Sequence, residues 1–295
     1  MSKKKLGTAA LFTTSVLWGS GFIAIKYAIT YMDKWWFITL RFLAAAFIMD
    51  IIFFKKIMAL SKHQLKQGLI LGLALASALT LQIVGCAYTT VGKNAFLCST
   101  YVVIIPFIKY FRTGQKPKPM IYPAVLLCII GTAVVSLSGL TGFNTGDLLS
   151  ICAGFSWAVH MELTAEYSEE SDMMSLQLPE MTIAGIITMI SAFIFSPHIG
   201  HITFSAFCCI IYTAVFCIAI GFALQLYGQK YVESSQAGMI FSLEAVFAGF
   251  FSVIFLHEKL SLKLMIGATL ILMSIIVANI DSSKFAENKF NKIKR

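Results

Sequence analysis

The chain has 295 residues, 58% hydrophobic and only 13% charged, with a mean hydropathy of +0.81. Soluble domains carry about 25% charged residues, so this composition excludes an ordinary water-soluble domain. A formal charge of +9 does not point to nucleic acid, because the lysines and arginines sit in short segments between apolar runs, where they set membrane topology.

Those apolar runs are near 20 residues each, long enough to cross a hydrocarbon core. In chain order the predicted spans are 7–29, 35–54, 68–89, 94–111, 120–138, 147–165, 175–195, 204–228, 235–256 and 262–280. Six prolines and little period-two alternation argue against a membrane barrel. The first span, within "MSKKKLGTAALFTTSVLWGSGFIAIKY" (1–27), is too long and lacks a small-residue cleavage pattern, so it reads as an uncleaved helix. With both termini placed in the cytoplasm, 17 of the 23 basic residues fall on the inner side, which predicts a multi-pass protein of the plasma membrane in that orientation. The loop "EYSEESD" (166–172) is the exception, with four acids and no base. All seven cysteines fall in apolar runs without CxxC spacing and read as small core residues.

The chain also repeats itself. "LQIVGCAY" (81–88) matches "LQLYGQKY" (224–231) at an offset of 143, and the same offset aligns Ala124 with Gly267. "GTAALFTTSVLW" (7–18) matches "GDLLSICAGFSW" (146–157) at an offset of 139. Ten spans thus divide into two five-span halves, 1–140 and 141–295. Because five is odd, the second half enters the membrane from the opposite side, the inverted arrangement of many secondary transporters.

The stretches "LWGSGFIAIK" (17–26), "RFLAAAF" (41–47), "LQIVGCAYTTVGKNAFLCSTYVVIIPF" (81–107), "GDLLSICAGFSWAVH" (146–160) and "LQLYGQKYVESSQAGMIFSLEAVFAGFFSVIFLHEKLS" (224–261) occur in an order that resembles the EamA-type members of the drug/metabolite transporter superfamily, over nearly the whole chain. The resemblance implies an all-α polytopic membrane protein of ten helices in two inverted halves. It also implies a central cavity and movement of small organic metabolites by alternating access. Members often read Ser-Leu-Glu-Pro in the ninth span; here Ala245 replaces the proline, which puts a kink beside Glu244 in doubt, whereas Pro106 predicts one in the fourth span.

A carboxylate at mid-bilayer is costly and normally faces a partner or a wet cavity. Glu244, with Tyr101 at its repeat-related position, is therefore a candidate for binding a cationic or hydroxylated group or for proton coupling; a neutral, helix-bridging acid is the alternative. Trp18 and Trp157 are repeat-related and sit mid-span, away from the interface where tryptophan usually collects, so cavity lining and core packing both remain open. His160 shares a helical face with Trp157 and suits either substrate or proton binding, or a helix contact. Gln82 and Gln225 occupy equivalent positions and read first as interhelical glue, second as substrate contacts. Asn94, Ser99 and Ser242 are further polar candidates. Arg41 and Glu180 are equivalent at the 139 offset and are assigned to the outer ends of their spans, with snorkelling the favoured role for Arg41, as for Lys26.

No GxxxxGK[ST], HExxH or GxSxG stretch occurs. The sequence therefore predicts no catalytic residues, no cofactor and no ATP hydrolysis, and the lone His198/His201 pair predicts no metal site. The expected function is secondary transport of a small organic metabolite, with an amino acid or related compound favoured. A multidrug or organic-cation exporter and a nucleoside or vitamin importer are the alternatives, while an intramembrane enzyme and a channel are disfavoured. The expected partners are a small-molecule substrate, the lipid bilayer and, as a candidate coupling ion, the proton. The sequence leaves oligomeric state open. The tail "KFAENKFNKIKR" (284–295) is expected to lie on an anionic leaflet.

Overall fold

The computed structural model describes residues 3–137, 143–232, 234–259 and 261–278. The expected boundary between halves at 140 and the basic tail lie outside these residues. Among the described residues every regular element is helical. Eight segments are long and apolar enough to cross a membrane: α1 (Lys3–Tyr31), α2 (Lys34–Ile52), α3 (Lys62–Tyr88), α4 (Val91–Thr113), and, after a shorter apolar helix α5 (Ile121–Ser136), α6 (Thr145–Glu170), α7 (Met173–Phe195), α8 (Phe204–Tyr231) and α9 (Ala237–Leu256). A second shorter apolar helix, α10 (Leu262–Ala278), follows. The chain is an all-α polytopic membrane protein.

Local chemistry sets the helix starts. Asp33 caps α2 by accepting from Trp35 and Trp36 N–H, and Thr203 caps α8. Ser61 with Gln64 forms a capping box on α3, and Asn144 with Asp147 forms another on α6. Each satisfies backbone donors that a helix terminus leaves open.

The packing has an exchange pattern. α1 lies against α8 and α9, and α6 lies against α3 and α4; α2 touches α8, and α7 touches α3; α2 pairs with α7, and α5 with α10. Substituting α1–α5 for α6–α10 reproduces each of these pairs. Where α5 meets α10 the backbones nearly touch: a Cβ added to Gly131 would stand 2.9 Å from the Gly267 carbonyl oxygen. The two ends of the bundle are distinguishable. At the N-terminal face lie the start of α1, the ends of α6 and α8, and the starts of α3 and α7; at the far face lie the end of α3 and the starts of α4 and α6.

Two helices are broken at related positions. α4 is interrupted at Ser99–Thr100 and α9 at Ser242, so that Tyr101 and Glu244 each stand in the first turn of a new helical segment. Ser99 Oγ donates to Phe96 O and Ser242 Oγ donates to Met239 O, both at 2.7 Å, and the two bonds are related by the 143 offset. The serine hydroxyl competes with the ladder at each point. The interruption in α9 thus forms without the proline that Ala245 replaces. In α4 the break lies upstream of Pro106, which sits inside the continuous segment Tyr101–Thr113.

The cysteines divide. Cys86, Cys98, Cys128 and Cys217 are buried, whereas Cys152 and Cys208 are exposed and Cys209 is half-buried. These last three correct the expectation of core positions: an apolar run in a membrane protein turns one face to lipid, which accepts a thiol as readily as the core does.

Candidate functional site

At the centre of the bundle Trp18 of α1 and Trp157 of α6 meet with ring centroids 5.7 Å apart. Trp18 also contacts Phe222 and Phe241 at 5.1 and 5.3 Å, and Trp157 stacks on Phe222 at 6.2 Å. Their indole N–H groups are satisfied differently. Trp157 Nε1 donates to Gln82 Oε1 at 2.6 Å, whereas Trp18 Nε1 donates to the backbone carbonyl of Cys217 at 2.9 Å. That carbonyl lies in a π-helical stretch of α8, Thr213–Ile220. Ala219 O in the same stretch accepts from Gln177 Nε2, and Gly221 O just beyond it accepts from Thr14 Oγ1. Such stretches loosen the regular ladder and concentrate at functional sites; here three α8 carbonyls bind side chains of α1 and α7.

A small cavity of about 20 Å³ lies against this cluster, bordered by Trp18, Phe22, Arg41, Gln82, Trp157, Phe222 and Glu244, among others. This is room for about one water molecule. Glu244 enters it from the first turn of the second α9 segment, where the positive end of the helix dipole favours a carboxylate. Arg41 enters it from α2. Its residue is 3% exposed, and its Nε and Nη1 find no hydrogen-bond partner. Its guanidinium lies 5.8 Å from the Phe37 ring centroid. Among the described residues neither Arg41 nor Glu244 forms an ion pair.

The structure thus gathers Trp18, Gln82, Trp157 and Glu244 at one cavity and sets the other sequence candidates around it. His160 packs edge-on against Trp157 and Phe222, with its Nε2 2.6 Å from Glu180 Oε1 in a fully buried contact between α6 and α7. Asn94 Nδ2 donates to Gln82 O and Ser150 Oγ, which ties α4 to α3 and α6. Tyr101 is 1% exposed with an unpartnered hydroxyl. Gln225 is buried, and neither of its amide atoms has a partner. Gln82 therefore acts as interhelical glue, while the same expectation for Gln225 is corrected: α8 offers the tryptophan a backbone carbonyl instead, which leaves the Gln225 amide unused.

Three further expectations are corrected. Arg41 does not snorkel; it lies in the second turn of α2 with its side chain buried at the central cavity. Glu180 is not at the outer end of its span but two turns from the start of α7, bonded to His160. Lys26 donates to the carbonyls of Cys86 and Thr89 at 2.7 and 2.9 Å, where the end of α3 leaves backbone acceptors open.

Sequence reasoning did not find the polar closure of the far face. Lys93 Nζ stands 2.8 Å from Asp147 Oδ2, with side-chain exposures of 5% and 0%. Thr89 Oγ1 donates to Asp147 Oδ1, and Glu258 accepts the N–H groups of Val91 and Gly92 at the start of α4. The capping pattern Asn144-x-x-Asp147 was the available signal, but it names only the helix start, not the lysine. The N-terminal face carries looser pairs, Lys56 with Asp172 and Arg112 with Glu166, around a polar crevice of about 820 Å³ between the ends of α6 and α8. An apolar groove of about 780 Å³ on the flank, lined by residues of α4, α5 and α6, offers almost no polar atoms and suits lipid. Among the described residues no cluster of three metal-ligating side chains occurs.

The comparisons with known proteins agree with this architecture. The profile of the EamA-like transporter family matches residues 5–137 and again 144–280. An uncharacterized transporter of Archaeoglobus fulgidus is 31% identical over 94% of this chain and 87% of its own length. The uncharacterized transporter YoaV of Bacillus subtilis is 22% identical over 94% and 97%. A protein crystal structure superposes with a TM-score of 0.70 at 15% identity, covering 92% of this chain and 97% of that one. With the family profile spanning nearly all of its length, this chain belongs to the EamA-like transporter family.

Proposed function

We propose that the protein is a secondary transporter of a small organic metabolite, an amino acid or related compound by preference, which works by alternating access between two inverted five-helix halves. The observation that carries this reading is the central cavity, where two tryptophans and two phenylalanines meet Glu244 and Arg41. The exchange pattern of helix packing, the paired serine breaks in α4 and α9, and the double family match support the two-half organisation. Broken helices at the interface of repeats commonly hold the substrate of such carriers.

With room for about one water, the cavity is too small for a substrate, and the two halves must separate to admit one. Rocking about the α2/α7 and α5/α10 contacts, which pair equivalent helices, would open one face while the other closes. Glu244 is then the group positioned to exchange a proton or pair with a cation. The abundance of aromatic rings around that single carboxylate also favours a second reading, an organic-cation exporter.

Counterflow into liposomes reconstituted with the protein tests both readings. Liposomes preloaded with an amino acid, a nucleoside or a lipophilic cation are diluted into the labelled compound at pH 6 and pH 8. The amino-acid reading expects saturable exchange of the first class, with a pH response that Glu244→Gln abolishes. An unchanged pH response in Glu244→Gln would remove the carboxylate from coupling, and exchange of the cation alone would select the second reading.

A further inference from the structure

The reading above leaves open why a guanidinium should be buried opposite a carboxylate without touching it. Arg41 and Glu244 border one cavity, on helices from different halves, and no ion pair within 4.0 Å joins them. A buried charge without a partner is expensive, and Arg41 leaves two of its three nitrogens unbonded although it is 3% exposed. A guanidinium and a carboxyl group that border one small space without bonding to each other are complementary to one ligand with a carboxylate at one end and an ammonium group at the other.

The repeat sharpens this. The positions related to Arg41 and Glu244 are Glu180 and Tyr101. Glu180 is already taken by His160, and Tyr101 has no charge. The two-fold pattern of the fold is therefore broken at the cavity, where the sole cation comes from α2 and the sole carboxylate from α9 among the residues that border it. A ligand bound there is oriented in one direction only. Trp18, Phe22, Trp157 and Phe222 supply an aromatic wall, beside which Gln82 is the one amide side chain.

We infer that Arg41 and Glu244 form the two poles of a zwitterion site, in which Arg41 binds the carboxylate and Glu244 the ammonium group of an α-amino acid with an apolar side chain. This rests on the transporter reading. A guanidinium binds a carboxylate through two parallel hydrogen bonds, and the aromatic wall takes the apolar side chain. The cavity of about 20 Å³ is smaller than such a ligand, so the halves part to admit it and the ligand then bridges them.

The test compares L-leucine with L-leucinamide, which lacks the carboxylate, and with N-acetyl-L-leucine, which lacks the ammonium group. Uridine and tetraphenylphosphonium serve as controls. Thermal stabilisation and counterflow are read on the reconstituted full chain. In the wild type, leucine should act at concentrations about tenfold or more below either derivative, the loss expected for one charged hydrogen-bonding pole. Arg41→Gln should bring leucine to the level of the amide, and Glu244→Gln to that of the N-acetyl form, while Arg41→Lys should retain part of the preference. The wild-type series stands even where a variant fails to fold. Equal potency of leucine and leucinamide in the wild type overturns the assignment, as does exchange of uridine or the cation without leucine; both leave the transporter reading in place. Silence across the whole panel overturns both.

Discussion

Trp18 and Trp157 show how one residue type at equivalent positions comes to depend on different neighbours. Trp157 relies on the Gln82 side chain, and Trp18 on a carbonyl that the π-helical stretch of α8 makes available. Replacing Trp157 with Phe should strand the Gln82 amide, and Gln82→Leu should strand the indole. A double-mutant cycle over these two changes is expected to give a coupling of about 0.5–2 kcal/mol, measured by unfolding in mixed micelles. The corresponding cycle of Trp18→Phe with Gln225→Leu should give none. Sequence identity at the four positions made both pairs legible as pairs; the difference between them was not, since it depends on where one helix loosens its backbone. Arg41 was misplaced for a related reason. An arginine in the second turn of a span is within snorkelling distance of the interface on length alone, and only the orientation of α2 against the centre decides that it points inward.

At the scale of elements, helix existence and order were readable from apolar runs near 20 residues, and the expected spans match the observed helices to within a few residues at most ends. The breaks in α4 and α9 were less legible. Proline is the breaker that a sequence announces, yet α9 is interrupted at Ser242 with no proline beside it, and α4 is interrupted at Ser99–Thr100, upstream of Pro106. The turn between α6 and α7 is another local device. Partial burial pushes the Asp172 carboxyl up, but hydrogen bonds from Lys56, Ser175 and the Met174 N–H outweigh it and hold the group below its usual range. Because the folded value is depressed, the contribution is fully present above the unfolded value, about 3.9, and is lost as pH falls through the folded value. With its side chain 48% exposed, solvent screening keeps this contribution below about 1 kcal/mol. Asp172→Asn should therefore lower the melting temperature slightly at pH 7, with the difference shrinking as pH falls below about 3.9.

For the whole molecule, the repeat in the sequence runs at the same offsets as the exchange pattern of helix packing, with equivalent small and aromatic residues recurring at them. It did not foretell the asymmetry between the two faces, which comes from residues without counterparts. Position 147 carries Asp where its equivalent is Thr8, and position 93 carries Lys where its equivalent is Gln236. The buried pair they form is costly to break from one side only. Lys93→Met should destabilise by about 3–5 kcal/mol by leaving Asp147 buried and unpaired, and adding Asp147→Leu should recover most of the loss; thermal melts of the three proteins check this.

This unequal burial makes the molecule's two ends differ in their response to ionic strength. Screening acts over about 8 Å at 0.15 M salt and about 3 Å at 1 M, and it reaches charges that water reaches. Lys56–Asp172 and Arg112–Glu166, with side chains between 36% and 48% exposed, are within its reach, while Lys93–Asp147, at 5% and 0%, is not. Raising salt should therefore speed amide hydrogen exchange in residues 166–172 and leave residues 89–93 unchanged, so that electrolyte alone loosens one doorway of the protein and keeps the other shut.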